Sequence, residues 1–172
     1  METPPVIAEV LRARDQQLQA RIQLLVSRYR QNWGDSLWRQ AATLGGKPLI
    51  VALDFYTDCN FFLKFVLEKY VNCRVFSTEN GLDMLVKVAV LRPALVISGL
   101  NVLHACPIAY EWILWNADQP EDIAIPVVIF TGASESRWAR EAPTWARSVR
   151  VLSKSGDGHA IRAVVQELIG HS

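Results

Sequence analysis

Asp54, Asn101, Thr131 and Lys154 are the polar side chains best placed for chemistry, because each stands at or just beyond the end of a short apolar run. If these runs are parallel strands, their carboxyl ends meet at one edge of a sheet, where doubly wound sheets bind ligands. We expect the four side chains to line one crevice. Such a crevice would suit a small ligand or an anion held by Lys154, although the spacing indicates no particular reaction.

Three other combinations of reactive residues favour structural roles. His104 and Cys106 offer two metal-ligating side chains, whereas a structural zinc site uses four with paired spacing, so we expect no metal. Ser98 before Gly99 lacks the Gly-x-Ser-x-Gly pattern of a hydrolase nucleophile. The turn Gly156–Gly158 lacks a Walker lysine and a dinucleotide fingerprint. We therefore predict no catalytic residue and no cofactor, and interpret the chain as a protein other than an enzyme.

The sequence changes character near residue 46. Val6–Trp33 contains no proline or glycine and predicts one long helix, and a short second helix follows Gly34. Beyond it, short apolar runs alternate with amphipathic stretches, which is typical of a parallel sheet with crossover helices. We divide the chain into an N-terminal helical extension, residues 1–46, for dimerisation or docking, and an α/β domain, residues 47–172.

Five strands and five helices alternate in the α/β domain. The predicted strands are Pro48–Leu53, Cys73–Ser77, Ala94–Ser98, Ile125–Phe130 and Val149–Leu152. The predicted helices are Asp58–Tyr70, Gly81–Val90, Ile108–Trp115, Ser134–Glu141 and Gly158–Ile169. In the first of these helices we expect Phe61, Phe62, Phe65 and Val66 to face inward. The order is (βα)5.

Five local signatures, in order along the chain, resemble those of a known family. They are Lys47–Asp54, Thr78–Leu85, Arg92–Asn101, Ile125–Gly132 and Leu152–Ser155. Together they resemble the receiver domain of bacterial two-component response regulators over about residues 47–170. The resemblance implies a flavodoxin-like, receiver-like (βα)5 fold with a parallel five-stranded sheet of order 2-1-3-4-5, preceded by the long N-terminal helix.

The resemblance also implies a phosphorylation pocket that has lost its chemistry. In the family, an aspartate ending the third strand is the nucleophile, acidic residues of the first strand hold magnesium, and a hydroxyl and a lysine bind the phosphoryl oxygens. Here Gly99 stands at the nucleophile position and Asp54 alone remains of the acidic pair. Thr131 and Lys154 persist, and we expect Lys154 to pair with Asp54 because an unpaired buried charge is costly.

The N-terminal helix carries an apolar seam. Leu18, Ile22, Leu25 and Tyr29 recur at intervals of four, three and four residues. Such a seam needs a surface to cover it, and its periodicity does not say whose. A homodimer or another protein partner is one interpretation, and packing on the chain's own α/β domain is the other.

A cluster of arginine and tryptophan residues follows the fourth strand. Its members are Arg137, Trp138, Arg140, Trp145 and Arg147. Tryptophan and arginine are enriched at protein interfaces, and the segment coincides with the face that receiver domains commonly use for dimerisation and output. The cluster is our candidate docking site for a protein partner.

The composition limits the remaining possibilities. A formal net charge of +1 over 172 residues disfavours nucleic acid as a partner, so a DNA-binding regulator is a weaker alternative. The apolar runs are too short to span a membrane, and Cys59, Cys73 and Cys106 suit free, mostly buried thiols of a cytoplasmic protein. We interpret the chain as a phosphorylation-independent signalling adaptor. The alternative from another class is a small-ligand or anion binder.

Overall fold

A parallel sheet lies at the centre of the computed structural model, which describes residues 5–132, 149–154 and 158–170. Its strands are β1 (Leu49–Leu53), β2 (Arg74–Thr78), β3 (Leu95–Ser98), β4 (Val127–Thr131) and β5 (Val149–Ser153). The strand order is β2-β1-β3-β4-β5, as predicted. The three inner strands are fully buried because helices cover both faces of the sheet, and their residues are apolar except Ser98 and Thr131 at the strand ends.

Seven helices surround the sheet in the described part of the chain. They are α1 (Pro5–Trp33), α2 (Ser36–Ala42), α3 (Thr57–Tyr70), α4 (Gly81–Leu91), α5 (Leu100–Ala105), α6 (Pro107–Ala117) and α7 (His159–Gly170). The long N-terminal helix and the described crossover helices agree with the predictions, whereas α5 was not predicted. The predicted helix Ser134–Glu141 lies outside the described residues.

Alternate side chains of each strand point to opposite faces of the sheet and form two cores. On one face, Val51, Val96 and Val127 pack with apolar residues of α4 and α6. On the other face, Ile50, Ile97 and Val128 pack with apolar residues of α3 and α7. The sheet therefore separates two cores that meet different helices.

Helices α1 and α2 add a further layer outside α4 and α6. Leu18 is 1% exposed and Ile22 is 4% exposed, and both belong to the core on the α4 side of the sheet. Leu25 and Tyr29 are half-buried against the same core. The seam of α1 thus packs within the chain, and Leu18 and Ile22 are not the exposed partner contacts that one interpretation of the seam required.

The prediction that Phe61 and Phe65 face inward is wrong. Phe61 is 72% exposed and Phe65 is 54% exposed. The helix instead buries Leu63 and Leu67, together with Val66, which does face inward as predicted. Six of the seven residues from 61 to 67 are apolar, so more than one inward stripe fits the sequence and tertiary packing selects one.

The sequence also led to predictions about membrane spans and about the three cysteines. Within the described parts, no helix combines the length and the apolar character that crossing a bilayer requires. Cys73 is buried, Cys59 and Cys106 are half-buried, and all three thiols are free. The prediction of mostly buried thiols thus holds for Cys73 alone, and all three side chains pack against the two cores.

Candidate functional site

The carboxyl ends of four strands bring the predicted pocket residues together. Asp54 directly follows β1, Gly99 directly follows β3, Thr131 ends β4 and Lys154 directly follows β5. All four line one cavity of about 320 Å³, which Asn101 of α5 also lines. The crevice that the sequence predicted is present because these strands are parallel neighbours in the sheet.

Asp54 is held in this pocket by several partners. It is 3% exposed, and its carboxylate accepts a hydrogen bond from the backbone N–H of Tyr56 at 3.0 Å. The same carboxylate forms an ion pair with the ammonium group of Lys154. Its backbone carbonyl accepts a hydrogen bond from the Nδ2 group of Asn60 at 3.0 Å. The carboxylate is therefore fixed in place by partners on both sides of the pocket.

Gly99 leaves the space into which the Asp54 side chain projects. The backbone at Gly99 has φ −66°, which any residue adopts, so the glycine is not required for its conformational freedom. A Cβ atom at this position would lie 2.9 Å from Oδ2 of Asp54 and 3.3 Å from its Cγ. Any side chain at residue 99 would therefore have to displace the carboxylate of Asp54.

Lys154 is bound on several sides. Its backbone N–H donates a hydrogen bond to the carbonyl of Thr131 at 2.8 Å, which extends the pairing of β4 and β5. Its ammonium group lies 5.7 Å from the ring centroid of Tyr56 and 6.0 Å from that of Phe130. Burial alone would lower the pKa of Lys154, but the hydrogen bond and the charge of Asp54 outweigh burial, so the pKa is raised. The ammonium group stays charged at neutral pH.

Cys59 also lines the cavity but has the properties of an inert thiol. Burial, with a smaller contribution from the charge of Asp54, raises the pKa of Cys59 to about 11. Nucleophilic chemistry requires the thiolate, which is scarce at neutral pH when the pKa is this high. The pocket thus offers an ion pair, a hydroxyl and a protonated thiol, and its residues do not form an activated nucleophile.

The pocket residues do not fit a bound magnesium ion. Magnesium requires near-octahedral oxygen coordination and is usually bound through one or two carboxylates. The carboxylate of Asp54 is already paired with Lys154, so a cation would have to displace the ammonium group. In residues 5–132, 149–154 and 158–170, histidine, cysteine and acidic side chains form no group of three that could hold a metal.

The two sets of candidate partner residues are placed very differently. Leu18, Ile22, Leu25 and Tyr29 lie on α1 against α4 and α6, as described above. Arg137, Trp138, Arg140, Trp145 and Arg147 lie outside the described residues. Sequence reasoning overlooked Tyr56 and Cys59 as cavity-lining residues; their position just after Asp54, at the end of the first strand, is the signal that could have identified them.

Comparisons with known proteins give a likeness in structure alone. No protein-family model matches the chain, and no curated protein matches it significantly. Solved structures of receiver domains do match. The signal receiver domain of a Luxo repressor protein from Vibrio parahaemolyticus has a TM-score of 0.60 and 18% identity, with 73% of this chain and 92% of that chain covered.

Two further solved structures of response regulators match the chain in the same way. A response regulator receiver protein from Burkholderia phymatum has a TM-score of 0.57 and 20% identity, covering 72% of this chain and 96% of that one. The chemotaxis response regulator CheY4 of Vibrio cholerae has a TM-score of 0.58 and 16% identity, covering 71% of this chain and 98% of that one. At these identities the matches establish the fold, which is the flavodoxin-like fold of receiver domains.

Proposed function

We propose that this chain is a pseudo-receiver: a signalling adaptor that acts through protein–protein contacts and does not depend on phosphorylation. It would belong to a bacterial regulatory or assembly pathway related to two-component signalling. The proposal combines the receiver fold with a pocket that holds no phosphate-accepting carboxylate at the end of β3. Receiver domains transmit signals through their surfaces, and those surfaces can persist when the chemistry is lost.

The geometry at Gly99 is the observation that supports this proposal most directly. The end of β3 carries no side chain, and the carboxylate of Asp54 lies within 2.9 Å of where a Cβ atom would be. Lys154, the residue expected to bind a phosphoryl oxygen, is paired with that carboxylate. Phosphoryl transfer to the pocket would therefore lack its acceptor, its metal ligands and a free lysine at once.

We further propose that residues 1–46 are a helical extension serving dimerisation or docking, and that residues 47–172 form the pseudo-receiver domain. The burial of Leu18 and Ile22 restricts docking through the extension to the outward side of α1. Leu24 and Trp33 lie on that helix and are more than half exposed. A partner or second copy would therefore contact α1 without removing it from α4 and α6.

A second candidate function rests on the cavity at the strand ends. Its volume of about 320 Å³ is within the range of small-ligand pockets, and it contains Asn101, Thr131 and Lys154. An anion could bind there only by competing with Asp54 for Lys154. Affinity of phosphate or a small carboxylate that disappears in Lys154→Met would favour this function over the adaptor.

The test of the proposal uses the full chain, magnesium and a small phosphodonor such as acetyl phosphate. Intact-mass spectrometry should show no added phosphoryl group, and amide NMR spectra should not change when beryllofluoride and magnesium are added. A matched receiver domain that has the acceptor aspartate serves as the positive control. A phosphorylated pocket residue would refute the phosphorylation-independent function.

The adaptor function itself is tested by affinity capture from a bacterial lysate of the protein's source. The captured protein should bind the purified chain equally well with magnesium and phosphodonor or with a chelator. Binding that requires the phosphodonor would contradict the proposal. Binding of a small molecule in the cavity, with no protein captured, would favour the second candidate.

A further inference from the structure

Strand β2 is an edge of the sheet, and its backbone groups divide into two sets. The N–H of Arg74 donates to the carbonyl of Pro48 at 2.9 Å, and the carbonyl of Thr78 accepts from the N–H of Asp54 at 3.1 Å. Alternate residues of a strand pair with opposite sides, so Val75 and Ser77 direct their N–H and C=O groups away from β1. These outward groups could pair with a strand from another chain.

Two side chains of α3 occupy the outward groups of Val75. Glu68 accepts a hydrogen bond from the N–H of Val75 at 2.9 Å. Lys64 donates a hydrogen bond to the carbonyl of Val75 at 3.2 Å. A neighbouring strand would supply one acceptor and one donor to the same two groups, and here the two side chains supply them instead.

The pair is held in this position by the helix. Lys64 and Glu68 are four residues apart on α3, and their charged groups are 3.7 Å from each other. They line a cavity of about 400 Å³ at the edge of β2, which Gln40 of α2 also lines. An added strand would have to enter this space, remove both side chains from Val75 and separate the ion pair.

Because β2 is short, capping the single residue Val75 is enough to prevent an incoming strand from pairing with it. β2 has five residues, and Val75 and Ser77 are the two of them whose backbone faces outward. When Val75 is capped, Ser77 alone remains for an incoming strand. One residue cannot form a ladder, because ladder pairing needs successive outward residues on the same strand.

We propose that Lys64 and Glu68 act together as a substitute strand that closes the β2 edge against strand addition by a second copy of this chain. The device prevents sheet-to-sheet association, and contacts through the helical faces stay available. It therefore selects which surfaces of the chain can associate. This role is independent of the pocket and of the proposed function.

The first test measures amide hydrogen exchange of Val75 in the full chain. Glu68→Ala should accelerate exchange of the Val75 amide about ten- to hundredfold, since it removes a hydrogen bond to a charged acceptor. Glu68→Gln should keep most of the protection, because the amide oxygen still accepts. Exchange of Val75 that is unchanged in Glu68→Ala would overturn the proposal.

The second test measures association by sedimentation equilibrium over a range of concentrations. The double variant Lys64→Ala/Glu68→Ala should show a weight-average mass that rises with concentration above that of the wild type. In the associated form, the amides of Val75 and Ser77 should regain protection. A double variant whose mass matches the wild type at every concentration would overturn the proposal.

A matched control separates edge closure from general destabilisation. Asp83 and Lys87 form the same kind of ion pair, four residues apart, on α4. The variant Asp83→Ala/Lys87→Ala should keep the wild-type mass and the wild-type exchange of Val75. If this control associates as strongly as the edge variant, loss of an ion pair of this spacing on either helix causes association and the proposal fails.

Discussion

Removing the charge of Lys154 should destabilise the protein because it would leave the carboxylate of Asp54 buried without its ionic partner. Lys154→Met keeps most of the length of the side chain while it deletes the ammonium group. The side chain of Asp54 is 4% exposed and that of Lys154 is 24% exposed. The carboxylate therefore has little access to water once its partner is gone, and neutral donors such as the backbone N–H of Tyr56 do not replace the lost charge.

The size of the effect follows from this asymmetry. Removing one partner of a fully buried ion pair costs about 3–5 kcal/mol, and the partial exposure of Lys154 places this pair at about 3 kcal/mol. For a chain of this length, each kcal/mol lowers the thermal midpoint by about 2–4 °C, so we expect a decrease of about 6–12 °C. Asp54→Asn should cost less, since the ammonium group of Lys154 can reach water.

The assay is urea denaturation followed by tryptophan fluorescence, with the two single variants and the double variant Asp54→Asn/Lys154→Met. The double variant should be more stable than Lys154→Met alone, because no unpaired buried charge remains. A free energy of unfolding for Lys154→Met within about 0.5 kcal/mol of the wild type would refute the reasoning, as that is the range of ordinary surface substitutions.

Further predictions concern other residues. Gly99→Ala should lower the free energy of unfolding by about 1–3 kcal/mol in urea denaturation, since its Cβ would overlap the carboxylate of Asp54, and an unchanged value would show that this space is open. Leu18→Ala should cost about 2–5 kcal/mol with no change of mass in light scattering; a smaller mass would instead identify α1 as an interface between copies. Phe61→Ser should change stability by at most about 0.5 kcal/mol in the same denaturation assay, and a large loss would place the ring in the core. The pKa of Lys154 is raised in the folded protein, so the charged side chain stabilises the fold fully below its ordinary pKa of 10.5. This contribution to the free energy of unfolding is lost as pH rises through the higher pKa of the folded state. The difference in urea midpoint between the wild type and Lys154→Met should therefore persist at pH 10 and shrink only above it.

The sheet could be predicted because its inner strands leave the sequence little freedom. β1, β3 and β4 are short runs without charged residues, and each is buried on both faces. Their ends could be predicted too, since Asp54 and Thr131 mark the points where polar groups meet the edge of the sheet. The ion pair between Asp54 and Lys154 followed from the same reasoning, because a lone buried charge is costly.

Other features depended on packing that a sequence pattern does not contain. The helix α5 begins directly after Gly99 and has six residues, which is too short for a periodic pattern to be seen. Phe61 and Phe65 are exposed because α3 turns a different stripe towards the sheet. The periodicity of α1 showed that it has an apolar side, but only the positions of α4 and α6 show what covers that side.

The position of α1 on the far side of α4 and α6 has a consequence for synthesis of the chain. Its contacts join residues that are far apart in sequence, as in the hydrogen bond of 2.9 Å from Arg21 to Glu111, 90 positions later. At ribosomal rates this separation corresponds to about 5–20 seconds of elongation. Helix α4, which also packs on α1, is made within this interval, and until then the apolar side of the nascent helix, with Leu18 and Ile22, has no native surface to cover it. Helix α1 can therefore reach its native packing only after α4 and α6 have both been made.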